Sequence, residues 1–253
     1  MKVAVLAGGQ GTRLAEETRV KSKAMVLIGD QPILWHLLKY FEHYGYTHFV
    51  IALGYHADSI RDYFRSLGAR AEESTEGPCT IVRPEAEPAW TVELIDTGPT
   101  TMSGGRIKRL APYLDDQPFM LTWCDGLADV DLDQLRAFHE SHGCLATLTA
   151  VHPPPRFGRL TLDGDRIVAF REKEIDAREW INGAFFVLNP GVFPYIAGDD
   201  TQWEQEPLSA LAADGELMAR RHEGFWQCMD TMKEAQRLNL LWQQGPAPWK
   251  VWE

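Results

Sequence analysis

The chain has 253 residues, 45% hydrophobic and 24% charged, the balance of an ordinary globular protein with room for one large α/β domain. A formal net charge of −11 without a basic stripe argues against nucleic acid as a partner. No apolar stretch approaches the ~20 residues that cross a bilayer, and the first apolar run meets glycines too soon for a signal peptide, so no membrane partner and a cytoplasmic location are expected.

Residues 2–7 (KVAVLA) are a short apolar, β-branched run ending in glycines, the pattern of a buried parallel strand followed by a glycine-rich turn. Residues 31–44 carry apolar side chains at helical spacing, with Pro32 near the start and Gly45 just past the end. Residues 48–53 (HFVIAL) read as a second strand and 56–67 as a second helix closed by Gly68. This strand–helix alternation predicts a Rossmann-like, doubly wound α/β sheet, mixed but mostly parallel. Residues 69–89 are irregular and rich in Pro and Glu, an inserted loop-and-hairpin region. Further strands are predicted over 119–123, 146–152, 158–162, 166–171 and 183–188, and closing helices over 208–217 and 232–243. No internal repeat or linker divides the chain. A single domain over 1–253 is expected, its nucleotide-binding part roughly 1–135 and its sugar-binding and closing part roughly 136–253. The tail tryptophans, Trp242, Trp249 and Trp252, either pack back on the core or form a contact in a homo-oligomer.

Three segments carry chemistry. Leu6, Ala7, Gly8, Gly9, Gln10, Gly11, Thr12 and Arg13 follow the first strand, with Lys21 and Lys23 close behind. Glycines there let backbone N–H groups approach an anion, Arg13 offers a planar fork to phosphate oxygens, and Lys23 a mobile point charge. The run fits neither GxGxxG, because Leu14 stands at the third glycine position, nor Walker A. Cys124-Asp125-Gly126 closes a predicted strand, where open α/β sheets bind ligands, and Asp125 is placed to hold Mg²⁺. Asp129, Asp131 and Asp133 read instead as acids at the start of a helix over 132–139. Asp230 ends the run 224–230; it either caps the next helix or supplies a second carboxylate. Two smaller clusters also read as surface loops. Residues 101–109 (TMSGGRIKR) combine Thr101, Gly104 and Arg106, suited to base readout and a phosphate contact. Glu172, Lys173 and Asn182 suit sugar hydroxyls and a sugar phosphate. The four cysteines lack CxxC pairing, which speaks against a zinc site or a disulfide framework.

These segments together resemble the sugar-phosphate nucleotidyltransferase (pyrophosphorylase) family, and within it the cytidylyl-transferring subfamily. LAGGQGTRL is similar to the LAGGxGTRL signature, KSKAMVLIGDQPILWH to KPKPMVEIGGKPILWH, WCDGLADVD to YGDGVADLD, and GFWQCMDT to GFWQPMDT; WEQEPL and the tail GPAPWKVWE also match. The likeness runs from Met1 to Glu253. It implies the nucleotide-diphospho-sugar transferase fold with a sugar-binding decoration. It also implies transfer of a nucleotidyl group from CTP to glucose 1-phosphate, giving CDP-glucose and pyrophosphate with Mg²⁺ as cofactor. Leu6 to Arg13, Thr101, Gly104, Arg106 and Cys124 would then bind the nucleotide, with Arg13 and Lys23 catalytic. Asp125 and Asp230 would hold the metal, and Glu172, Lys173 and Asn182 the sugar phosphate. The departures are Ser22 and Ala24 in place of prolines, Leu27 for an acid, Asp30 and Cys124 for glycines, and Glu174 for a proline. Cys124 adds a side chain beside metal and sugar, which bears on the identity of the sugar. Two other readings fit the same residues. One is the same reaction with UTP, dTTP or another sugar 1-phosphate; the other is a non-catalytic nucleotide-sugar sensor.

The reaction sets an electrostatic requirement. A sugar phosphate must approach the α-phosphorus of a triphosphate, and two unit charges about 4 Å apart at an effective dielectric near 20 repel by roughly 4 kcal/mol. Cations fixed in advance offset this, and a phosphate ionised at neutral pH requires no general base.

Overall fold

In the computed structural model, residues 1–9, 11, 21–68, 70–73, 79–83, 90–154, 159–172 and 179–252 are described. The strands in chain order are β1 (Val3–Leu6), β2 (Leu27–Ile28), β3 (Gln31–Pro32), β4 (His48–Leu53), β5 (Arg70–Glu73), β6 (Cys79–Arg83), β7 (Thr91–Asp96), β8 (Phe119–Trp123), β9 (Gly126–Ala128), β10 (Ala146–Val151), β11 (Arg159–Asp163), β12 (Arg166–Arg171), β13 (Ile181–Leu188), β14 (Leu217–Arg221) and β15 (Trp226–Cys228). The helices are α1 (Ile33–His43), α2 (Ala57–Ser66), α3 (Ser103–Leu110), α4 (Leu132–His142), α5 (Glu206–Ala213) and α6 (Met232–Gln243).

Nine strands form one sheet in the order β14-β10-β13-β8-β1-β4-β7-β6-β5. All but β6 and β13 run in one direction, so the sheet is mixed and mostly parallel. Both faces are covered, which is why the central strands read as continuous apolar runs and not as alternating ones. In β1, Val3 and Val5 enter one hydrophobic cluster, with α1 and α6, while Ala4 and Leu6 enter the other, with α3 and α5. The chain passes from β1 outward through β4 and β7, then returns to β8 on the other side of β1. The sheet therefore reverses its winding between β1 and β8, and the carboxyl ends of those strands lie side by side, Leu6 opposite Trp123.

The structure corrects several local expectations. Residues 101–109 are not a loop but lead into α3, whose Gly104 and Gly105 press against residues 199–201 where a methyl would collide with backbone. The closing helix ends at Ala213, and Leu217–Arg221 is an edge strand beside β10. Strand β7, also missed, continues the parallel set. Asp131 caps α4 by accepting from Gln134 N at 2.9 Å, and Asp133 lies in the first turn, as their spacing suggested.

The tail packs on the core. Trp249 is fully buried, and its Nε1–H donates to Nδ1 of His36 at 3.4 Å; Trp242 and Trp252 close around the same imidazole. His36 Nε2 in turn donates to Ile28 O at 2.8 Å, so both ring nitrogens fit the neutral form. Burial pushes the His36 pKa down to about 4 from its ordinary 6.5. Below pH 6.5 the unfolded chain takes up a proton that the folded one refuses. Stability contributed by neutral His36 is thus complete above that value and lost as pH falls toward 4, by about 3 kcal/mol. Urea midpoints between pH 7 and 4 should fall more steeply for the wild type than for His36→Met; parallel lines would refute the assignment.

Candidate functional site

The carboxyl ends of β1 and β8 open into a cavity of about 840 Å³, within the range of small-molecule sites. Leu6, Ala7, Gly8, Gly9 and Gly11 line one side, Trp123, Cys124 and Asp125 another, and Pro99 to Ser103 with Arg106 a third; Lys23, Asp230, Gln202, Glu204 and Gln205 complete it. The two strand ends are tied where they meet, Cys124 N donating to Leu6 O at 3.1 Å.

Lys23 opens a single 3-10 turn over Lys23–Met25. Ser22 fixes that turn: its hydroxyl accepts from Ala24 N and donates to Ala7 O, while its own N–H donates to Ser59 Oγ at 2.9 Å. A proline at 22 could form neither the hydroxyl contacts nor the N–H bond. The turn directs Lys23 into the cavity, where Nζ lies 2.6 Å from Asp125 Oδ2 and 2.7 Å from Asp230 Oδ1. The two carboxylate oxygens are thus separated by no more than the sum of those distances, although they lie far apart in the chain.

A small antiparallel ribbon brings them together. Strand β9 follows Asp125, and its Gly126 pairs with Cys228 of β15, just before Asp230; Met229 N donates to Asp125 O at 2.8 Å. The helix after Asp230 is capped by Thr231 and not by Asp230. Thr231 Oγ1 accepts from Glu234 N at 3.3 Å, and Glu234 Oε2 accepts from the N–H groups of Asp230 and Thr231 at 2.7 and 2.8 Å. Burial acts to lower the Lys23 pKa, but Asp125 and Asp230 outweigh it and hold the ammonium above its ordinary value. Burial pushes the thiol of Cys124 up to about 12, so it faces the cavity as a neutral group.

Among the described residues no group of three or more His, Cys, Asp or Glu forms a metal cage. Mg²⁺ does not call for one, since it takes one or two carboxylates and fills its octahedron with water and phosphate oxygens. Asp125 and Asp230 fit that demand, and the ammonium already held between them shows that the spot attracts a cation.

The other expected residues divide. Thr101 lines the cavity. Arg106 reaches its floor but directs its guanidinium to backbone: Nη1 donates to Leu53 O and Gly98 O, each at 2.9 Å, and to Thr97 Oγ1 at 2.6 Å, and Nη2 to Gly8 O at 3.0 Å. Gly104 is not brought to the cavity; it lies on the side of α3 that packs against Thr201, donating to Thr201 O at 2.9 Å. Glu172 is exposed after β12, and Asn182 accepts from Ala184 N at 2.8 Å; neither lines the cavity. Gln10, Thr12, Arg13 and Lys173 lie outside the described residues. Gln202, Glu204 and Gln205 were given no role from sequence, although WEQEPL marks the segment. The structure sets them in the wall, where Ser103 Oγ donates to Glu204 Oε2 at 2.6 Å.

With this geometry in place, the family described as Nucleotidyl transferase matches residues 2–227. A "Glucose-1-phosphate cytidylyltransferase" of Salmonella typhi is 48% identical, aligned over 100% of both chains. A "Probable glucose-1-phosphate cytidylyltransferase" of Bacillus subtilis is 39% identical, again over 100% of both. In fold, the solved structure of HddC from Yersinia pseudotuberculosis superimposes with a TM-score of 0.71, covering 95% of this chain and 99% of that one at 21% identity.

Proposed function

The chain belongs to the nucleotidyl transferase family, and from that premise we propose that it transfers a cytidylyl group from CTP to glucose 1-phosphate, giving CDP-glucose and pyrophosphate. The enzyme class, a sugar-1-phosphate nucleotidyltransferase, follows from full-length relatives that carry the name. The observation that carries the chemistry is the ammonium of Lys23 seated between two carboxylates in the wall of a cavity that begins at the glycine-rich turn.

The turn supplies backbone N–H groups to the triphosphate. We assign Lys23 to the charge that gathers on the α-phosphoryl group as a sugar phosphate oxygen adds and the bond to the leaving pyrophosphate breaks. Asp125 and Asp230 would hold Mg²⁺, which when bound would supply positive charge against the triphosphate. We assign Arg13 to the departing pyrophosphate and Lys173 to the sugar phosphate, on their places in the motifs. Thr101 and the backbone near Cys124 border the nucleotide, and Glu172 and Asn182 are assigned to the sugar on the resemblance alone. The four free cysteines suit the reducing cytoplasm, and no described helix is long and apolar enough to cross a membrane.

Pyrophosphate release with CTP, UTP, dTTP, GTP and ATP against a panel of sugar 1-phosphates tests the reading. CTP with glucose 1-phosphate should give the highest kcat/KM. Another pair exceeding it by about tenfold would reassign the substrates; release from no pair would return the chain to a sensor role.

A further inference from the structure

We propose that Arg106 is a positioning residue for the glycine-rich turn, acting on phosphate through the Gly8 peptide; the proposal rests on the reading of the cavity as the nucleotide site. The Gly8 carbonyl accepts two bonds, from Arg106 Nη2 at 3.0 Å and from Tyr55 N at 3.1 Å. Both donors belong to the body of the protein, so the carbonyl is turned inward. In a planar trans peptide the N–H of the next residue points opposite to that carbonyl. Anchoring Gly8 O inward therefore aims the Gly9 N–H outward, and Gly9 is exposed at the cavity. A flipped peptide would present a carbonyl dipole, which repels a triphosphate.

The glycines themselves point to the same arrangement. Neither Gly8 nor Gly54 adopts the left-handed backbone that usually demands glycine. A methyl on either would overlap the Arg106 guanidinium, and one on Gly54 would also come within 2.6 Å of Gly8 O. Both positions are bare because a guanidinium lies against them. The acceptors that hold it, Leu53 O, Thr97 Oγ1, Gly98 O and Gly8 O, are all neutral oxygens. The side chain is buried and stays ionised at neutral pH, so the floor beneath the turn carries a positive charge with no hydrogen-bonded carboxylate among the described residues.

Thr97 reads the anchoring of Arg106 from outside the cavity. Its hydroxyl is fully buried, donates to Leu53 O at 2.6 Å, accepts from Arg106 Nη1, and lies outside the cavity lining. CTP affinity by calorimetry and kcat and KM by pyrophosphate release should be measured for Arg106→Met, Arg106→Lys, Thr97→Val and the Thr97→Val/Arg106→Met pair. We expect Arg106→Met to weaken CTP binding by about thirtyfold and to leave the KM for sugar phosphate within about threefold. Arg106→Lys, which keeps the charge and loses the fork, should follow Arg106→Met. Thr97→Val should weaken CTP by about fivefold in the wild type and by nothing further beside Arg106→Met. Wild-type CTP affinity in Arg106→Lys, or the same Thr97→Val factor in both backgrounds, would overturn the proposal. If Arg106→Met does not fold, Arg106→Lys and Thr97→Val decide it. A wild-type protein that neither binds nor turns over any triphosphate would defeat the nucleotide reading itself, a result distinct from an active wild type with indifferent variants.

Discussion

Lys23→Met lowers kcat/KM by on the order of 10³-fold, with circular dichroism close to wild type. The magnitude follows from what pre-placed cations contribute when charge develops on a transferring phosphoryl group. Lys23 is held by a turn that Ser22 fastens to the glycine-rich segment, so its backbone is placed before any substrate arrives. The ammonium offsets two carboxylates in a largely buried wall, and methionine fills a similar volume without a charge. Adding divalent metal does not restore the rate, because the missing cation belongs at the α-phosphoryl group. A Lys23→Met protein with turnover within about tenfold of wild type would remove Lys23 from the chemistry.

Asp125→Asn produces a loss of similar size at ordinary Mg²⁺ concentrations but responds differently to metal. Asparagine keeps the shape and one oxygen of the carboxylate and loses the charge that favours a hard cation. A bound divalent ion contributes several kcal/mol of charge stabilisation in such reactions, roughly a thousandfold in rate. The Asp125 backbone is fixed by the bond from Met229 N and by the β9–β15 pairing, so the substitution leaves the frame in place. Raising Mg²⁺ or Mn²⁺ to high millimolar levels should recover much of the Asp125→Asn loss by mass action. Rate against metal concentration thus distinguishes the two variants. Identical metal curves for wild type and Asp125→Asn would show that this carboxylate holds no ion.

The sheet was legible in the sequence wherever burial on both faces leaves an unbroken apolar run. β4 and β8 have the bounds that their composition predicts, as does α6, whose start is marked by Thr231 and Glu234; the exposed β12, outside that sheet, also has its expected bounds. What escaped has local patterns too short or too contrary to read. α3 begins Ser-Gly-Gly, which propensity reads as a turn, yet both glycines serve close contact with residues 199–201. β14 is a charged, largely exposed edge strand paired on one side only. β9 and β15, three residues each, lie below the length at which alternation is visible. The same limits apply in the site. Lys23, Asp125 and Asp230 stand in motifs that mark them, and the structure brings the three together. Arg106 could be seen as a cation near phosphate, but not as a holder of backbone, because carbonyl acceptors leave no trace in a residue pattern. Glu172 and Asn182 followed from the resemblance alone, and nothing in the described geometry draws them to the cavity.

The β9–β15 ribbon also bears on how the protein is made. Lys23 stands 207 positions ahead of Asp230, and the ribbon brings Asp230 beside Asp125. Such distant closure is slow and comes late relative to local structure. A polypeptide still being synthesised, with Asp125 already outside the ribosome and Asp230 not yet added, can present a glycine turn and one acid but no complete cation seat. The seat is complete only once the last tenth of the molecule has been added.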